Sequence, residues 1–70
     1  MEQKNLFTVK EECVIVACTL GLSIKMMAEH LQMNIETLRG LLKIIYAKLH
    51  IHSMGELMRY AFQNGFDRPE

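Results

Sequence analysis

No excess of either charge marks this chain: eight lysines and arginines meet eight aspartates and glutamates, so the formal net charge is zero. DNA-binding domains are commonly basic, so any hold on phosphates must come from local clustering and will weaken readily with salt. Metal-ligand spacing is missing as well. There is no Cys-x-x-Cys or His-Glu-x-x-His, and His50 and His52 lie far along the chain from His30, so the histidines read as surface or helix-end groups and no metal is expected. A glycine-rich phosphate loop, a nucleophile with its base and a paired-carboxylate cleft are all lacking. So small a helical chain leaves little room for a pocket, and the expectation is no enzymatic activity, no cofactor and no small-molecule ligand. No apolar run approaches the roughly 20 residues of a membrane span. The first such run, Cys13 to Leu22, follows Glu11 and Glu12 and has no small-residue cleavage pattern, so neither a signal peptide nor a membrane contact is expected. A cytoplasmic setting with reduced thiols follows. Cys13 and Cys18, five positions apart on one predicted helix, are too distant for a disulfide and read as small apolar groups.

What the chain has in quantity is apolar side chains, at half of its 70 residues. That length makes one domain, with a core over about 8–66, and its small buried fraction predicts marginal stability without self-association. Caps and 3.6-residue periodicity predict an all-α, four-helix domain. The first helix runs from Val9 to Leu20, opened by a Thr8–Glu11 capping box and closed by Gly21. The second spans Ile24 to Leu31 behind Ser23, and the third Ile35 to Leu49 behind Asn34. The fourth runs from Met54 to Asn64, with a Ser53–Glu56 capping box and Gly65 as terminator. The polar ends, Met1 to Asn5 and Asp67 to Glu70, are expected to be mobile. With two or three residues between them, the second and third helices form a helix-turn-helix, the arrangement that presents one exposed helix to the major groove.

On the third helix Leu38, Leu41, Leu42, Ile45 and Leu49 fall on one side, predicted as core. Glu36, Arg39, Gly40, Lys43 and Ala47 fall on the other, the candidate reading face. Arg39 is the best base reader, since its planar fork matches guanine O6 and N7. Lys43 and Lys48 suit phosphates, as do Lys25 and Thr37 near helix ends. Gly40 costs about 1 kcal/mol relative to alanine and leaves a bare patch that admits close approach of DNA or of a partner backbone. Between Ser23 and Leu49 four cations, Lys25, Arg39, Lys43 and Lys48, face two anions, Glu29 and Glu36. The first helix is apolar almost all round. Val14, Ile15 and Cys18 make its core stripe, while Cys13, Val16 and Leu20 lie opposite at spacings of three and four and form a candidate partner surface. On the fourth helix Leu57 and Ala61 read as core. Met58, Arg59 and Phe62 face a neighbour in the dimeric reading, whereas a monomer folds Phe62 back on Phe66.

Several pieces then occur in order: Thr8 to Glu11 as a Thr-x-x-Glu start, Gly21-Leu22-Ser23, Lys25 with Met27-Ala28 and Leu31, Thr37-Leu38-Arg39, Ile45, Lys48-Leu49-His50-Ile51, and Glu56-Leu57 with Ala61. In that set the chain from Thr8 to about Phe66 resembles the DNA-binding domain of LuxR/GerE-type bacterial transcriptional regulators. His50 stands where that family has glycine, implying a left-handed residue or a shifted helix end. The resemblance implies a transcriptional regulator that binds double-stranded promoter DNA through residues 35–49, as a homodimer formed by the last helix. The alternative is a LuxR-type fold that binds another transcriptional regulator and modulates its DNA binding, consistent with the neutral charge and the extra apolar face.

Overall fold

A computed structural model describes residues 6–68 as four helices: α1 Val9–Cys18, α2 Ile24–His30, α3 Ile35–Leu49 and α4 Met54–Gln63, with no strand among the described residues. Positions 1–5 and 69–70, most of the polar ends expected to be mobile, lie outside the described residues.

Each helix starts where a short polar side chain accepts a backbone N–H: Thr8 from Glu11, Ser23 from Met26, Asn34 from Thr37 and Ser53 from Glu56. At Thr8 the box is reciprocal, because the Glu11 carboxylate accepts the Thr8 N–H at 3.0 Å. At Ser53 it is not. Glu56 reaches one residue further and accepts the His52 N–H at 2.6 Å, so the expected second capping box is displaced by one position. Either N–H lies ahead of the first turn, and the carboxylate closes the helix start in both cases.

The helix ends explain three boundaries that fall short of expectation. α1 stops at Cys18 rather than Leu20 because the N–H groups of Thr19, Leu20 and Gly21 bond three residues back, to Val16, Ala17 and Cys18, tightening the chain into a 3₁₀ turn. Gly21 then takes φ 72°, where a side chain would be strained. α2 ends at His30 rather than Leu31. Left-handed Gln32 (φ 57°) lets the Met33 N–H reach back to the Ala28 carbonyl at 3.0 Å. α4 ends at Gln63 rather than Asn64, with the same closure from Phe66 to Ala61 at 2.9 Å around Gly65. α3 has the expected bounds, and His50 adopts the left-handed conformation at φ 58°.

α1 is the central element, packing against α2, α3 and α4, while α2 also packs on α3. Its buried stripe of Val14, Ile15, Ala17 and Cys18 meets Met27 and Ala28 of α2, Leu38, Leu42 and Ile45 of α3, and Leu57 and Ala61 of α4. Leu41 and Leu49 are half-buried against this core. Cys18 has no partner cysteine; burial pushes its thiol up to about 11, so it stays protonated among apolar neighbours. Phe66 stacks on Tyr60 at 5.9 Å and Tyr60 meets Phe7 edge-on at 6.3 Å. Phe62 is therefore not folded back on Phe66 and stays about half exposed.

A buried charge joins the two ends of the fold. Glu11 retains only 4% of its exposure, yet the Lys48 ammonium donates to its carboxylate at 2.7 Å and to the Leu6 carbonyl at 2.9 Å. The same ammonium sits 5.6 Å from the centroid of the Phe7 ring, within cation–π range. The bond from Lys48 holds the Glu11 carboxyl below its ordinary pKa, against the opposing effect of burial, with help from the Thr8 N–H.

Candidate nucleic-acid interface

α3 presents two flanks and an outer edge. Its core side is settled by Leu38, Leu42 and Ile45, all buried. The flank toward α1 carries Lys48, which sequence reading assigned to phosphate. That assignment changes, because the three contacts of Lys48 within the fold commit its ammonium to Glu11, Leu6 and Phe7. A side chain extended from this register reaches over the N-terminal segment to the buried carboxylate while staying partly exposed itself.

The flank toward α2 carries Arg39 and Lys43, both exposed and one turn apart. Neither makes a salt bridge or a side-chain hydrogen bond among the described residues. Together with Ile24, Leu42 and Tyr46 they line an open groove of about 450 Å³ between the start of α2 and the middle of α3. Its floor is apolar and its rim cationic. Burial, with Cys18 close behind, raises the Tyr46 phenol above its ordinary pKa, so the hydroxyl remains a neutral donor at neutral pH.

Along the outer edge stand Glu36, Thr37, Gly40, Lys43, Ile44 and Ala47, all exposed. Gly40 is as bare as expected: a Cβ built there meets no atom within 4 Å. Thr37 is exposed, but its backbone N–H is taken by the Asn34 side chain at 2.7 Å, so only the hydroxyl is left for a phosphate. Lys25 is exposed on the first turn of α2, near the Arg39 groove. Ile44, 47% exposed, was missed by sequence reading although it stands four residues after Gly40, off the core register. With Lys48 engaged, the cations left on this side are Lys25, Arg39 and Lys43, against Glu29 and Glu36.

Comparison of the chain with family models, with curated proteins and with solved structures returns no match.

On the second surface, Cys13, Val16 and Leu20 are all exposed, Val16 and Leu20 by 42% and 53%. Val9 joins them at 77%, one turn before Cys13, where the same spacing could have found it. Beside this ridge a smaller groove of about 340 Å³ runs between α1 and the end of α2, with His30 and Leu31 on its far wall. On α4, Arg59 and Phe62 are exposed as expected for a neighbour-facing pair, but Met58 is not. It is half-buried and packed on the core, because it follows Leu57 directly on a helix whose inner face is broad enough to cover it. No helix among the described residues is long and apolar enough to cross a membrane, and no group of three potential metal ligands occurs among them.

Proposed function

We propose that this chain is a bacterial, cytoplasmic transcriptional regulator of LuxR/GerE type that binds promoter DNA by laying α3 in the major groove. The observation that carries the reading is the pair Arg39 and Lys43, one turn apart on an exposed helix and without structural work among the described residues. α2 braces that helix through Met27, Ala28 and Leu38, all buried, as the first helix of a helix-turn-helix does. Support also comes from the placement of the residues on which the resemblance rests. Glu11 of the Thr-x-x-Glu start and Lys48 of the Lys-Leu pair, 37 residues apart, are each other's salt-bridge partners. Pairing through Arg59 and Phe62 of α4 would set two recognition helices about one DNA turn apart on a pseudo-palindromic site.

Fluorescence anisotropy with pooled promoter-derived duplexes at about 50 and 200 mM salt tests the reading. Salt-sensitive binding that Arg39→Ala and Lys43→Ala each weaken supports it. No binding at the lower salt by folded protein removes it.

A second reading is favoured by the α1 ridge, where Val9, Cys13 and Val16, with Leu20 in the turn that follows, expose apolar surface beside a helix already buried on its other side. In that reading the ridge docks another transcriptional regulator and alters its DNA binding. Val16→Glu with Leu20→Glu should leave the fold stable within about 0.5 kcal/mol while abolishing co-purification with that regulator or self-association in sedimentation. Unchanged association would eliminate the ridge as an interface.

A further inference from the structure

The outer edge of α3 is unusual for a surface that is to read bases: it has no amide side chain, and its middle, Gly40, Ile44 and Ala47, is apolar. Its outermost positions are Gly40 and Ala47, flanked by Ile44 and Thr37 on one side and by Glu36 and Lys43 on the other. Asparagine or glutamine, the bidentate readers of adenine, are absent from α3 altogether. What the edge does offer is an apolar knob, Ile44, 47% exposed in mid-helix, beside an open space at Gly40 where no atom lies within 4 Å of an added Cβ. In the major groove one base-edge group is apolar, the C5-methyl of thymine, and it is read by contact with small or branched apolar side chains.

Resting on the DNA-binding reading above, we propose that this protein selects its sites by thymine methyl groups. Ile44 and Ala47, with the Thr37 methyl, pack against them, and Gly40 lets the helix seat deeply enough for those short side chains to reach. Arg39 and Lys43, on the α2 flank, contact guanine or phosphate beside the thymines. The exposed carboxylate of Glu36 lies on the same edge and accepts a hydrogen bond from cytosine N4 or turns to solvent. The preferred site is thus a duplex rich in thymine along one stretch of the major groove, rather than one whose adenines are read by side-chain amides.

Uracil is thymine without that methyl and pairs identically, so it isolates the contact. Duplexes enriched by the full chain from a random 20-base-pair pool are resynthesised with deoxyuridine replacing thymidine, one position at a time, and measured by anisotropy at about 50 mM salt. The expected result is a loss of about fourfold in affinity at each contacted thymine, the effect of one apolar carbon withdrawn from a contact. Ile44→Ala, an exposed position where alanine favours helix, is expected to bring that ratio close to one at a subset of positions. Thymine and uracil duplexes bound equally by the wild-type chain would overturn the proposal while leaving DNA binding intact. Failure to enrich any duplex by folded protein would overturn both.

Discussion

Lys43 and Lys48 lie on the same helix and differ only in register, yet the fold uses them in opposite ways. Lys48, on the α1 flank, is drawn into the protein by Glu11, by the Leu6 carbonyl and by the face of Phe7. Lys43, on the α2 flank, points at an open groove and bonds nothing among the described residues. A cation's availability therefore depends on which neighbouring helix its flank faces. Counting charges along α3 overstates what is free for a ligand, whereas the balance over the whole chain stays at zero, because the internal pair removes one of the eight acids and one of the eight bases together.

The contrast is sharpest in stability. Lys48→Ala leaves the Glu11 carboxylate buried with only the N–H of Thr8 and should cost about 2–3 kcal/mol, the penalty for stranding a charge that has lost its partner. Lys43→Ala and Arg39→Ala should fall within about 0.5 kcal/mol of wild type. Urea unfolding followed by circular dichroism measures all three, and equal effects would erase the distinction between the flanks.

Acid should break the same latch without a mutation. The folded-state pKa of Glu11 is lowered from 4.5, so its stabilisation is complete above about that pH, where the carboxylate is charged in both states. As pH falls from there through the lowered folded value, the unfolded chain takes up the proton first and the stabilisation is lost. Urea midpoints between pH 7 and 3 should drop less steeply for Glu11→Gln than for wild type. Parallel curves would mean that the pair contributes nothing.

The smallest effect is expected on the open flank. Gly40→Ala places a methyl where no atom lies within 4 Å, on a helical backbone without positive φ, and should stabilise the fold by about 0.5–1 kcal/mol. If the helix seats against DNA at that point, the same change lowers affinity for the enriched duplexes. A variant both more stable and equally avid would place the contact elsewhere on α3.

The sequence made the helices legible because their starts depend on local chemistry. Thr8, Ser23, Asn34 and Ser53 each cap the turn that follows them, and α3 begins and ends as its periodicity requires. Where the expectation failed, the deciding contact lay outside the local segment or in a backbone closure that no side chain announces. α1, α2 and α4 ended early through 3₁₀ and left-handed turns. Lys48 read as a phosphate ligand because nothing near it in sequence reveals Glu11, and Met58 read as a neighbour-facing side chain because the breadth of the core face of α4 depends on what packs there. The exposed residues of the candidate reading face, Arg39, Gly40 and Lys43, were legible from period alone. The groove that Arg39 and Lys43 border was not, since Ile24 reaches it from α2.

The two cysteines occupy opposite environments on one helix. Cys18 is sealed in the core with its thiol held up at about 11, and Cys13 is open to solvent on the outer ridge. A thiol-directed reagent at neutral pH therefore modifies the native chain at a single position. The protein carries its own attachment point for a fluorophore or spin label, set on the ridge where a docking partner would have to cover it.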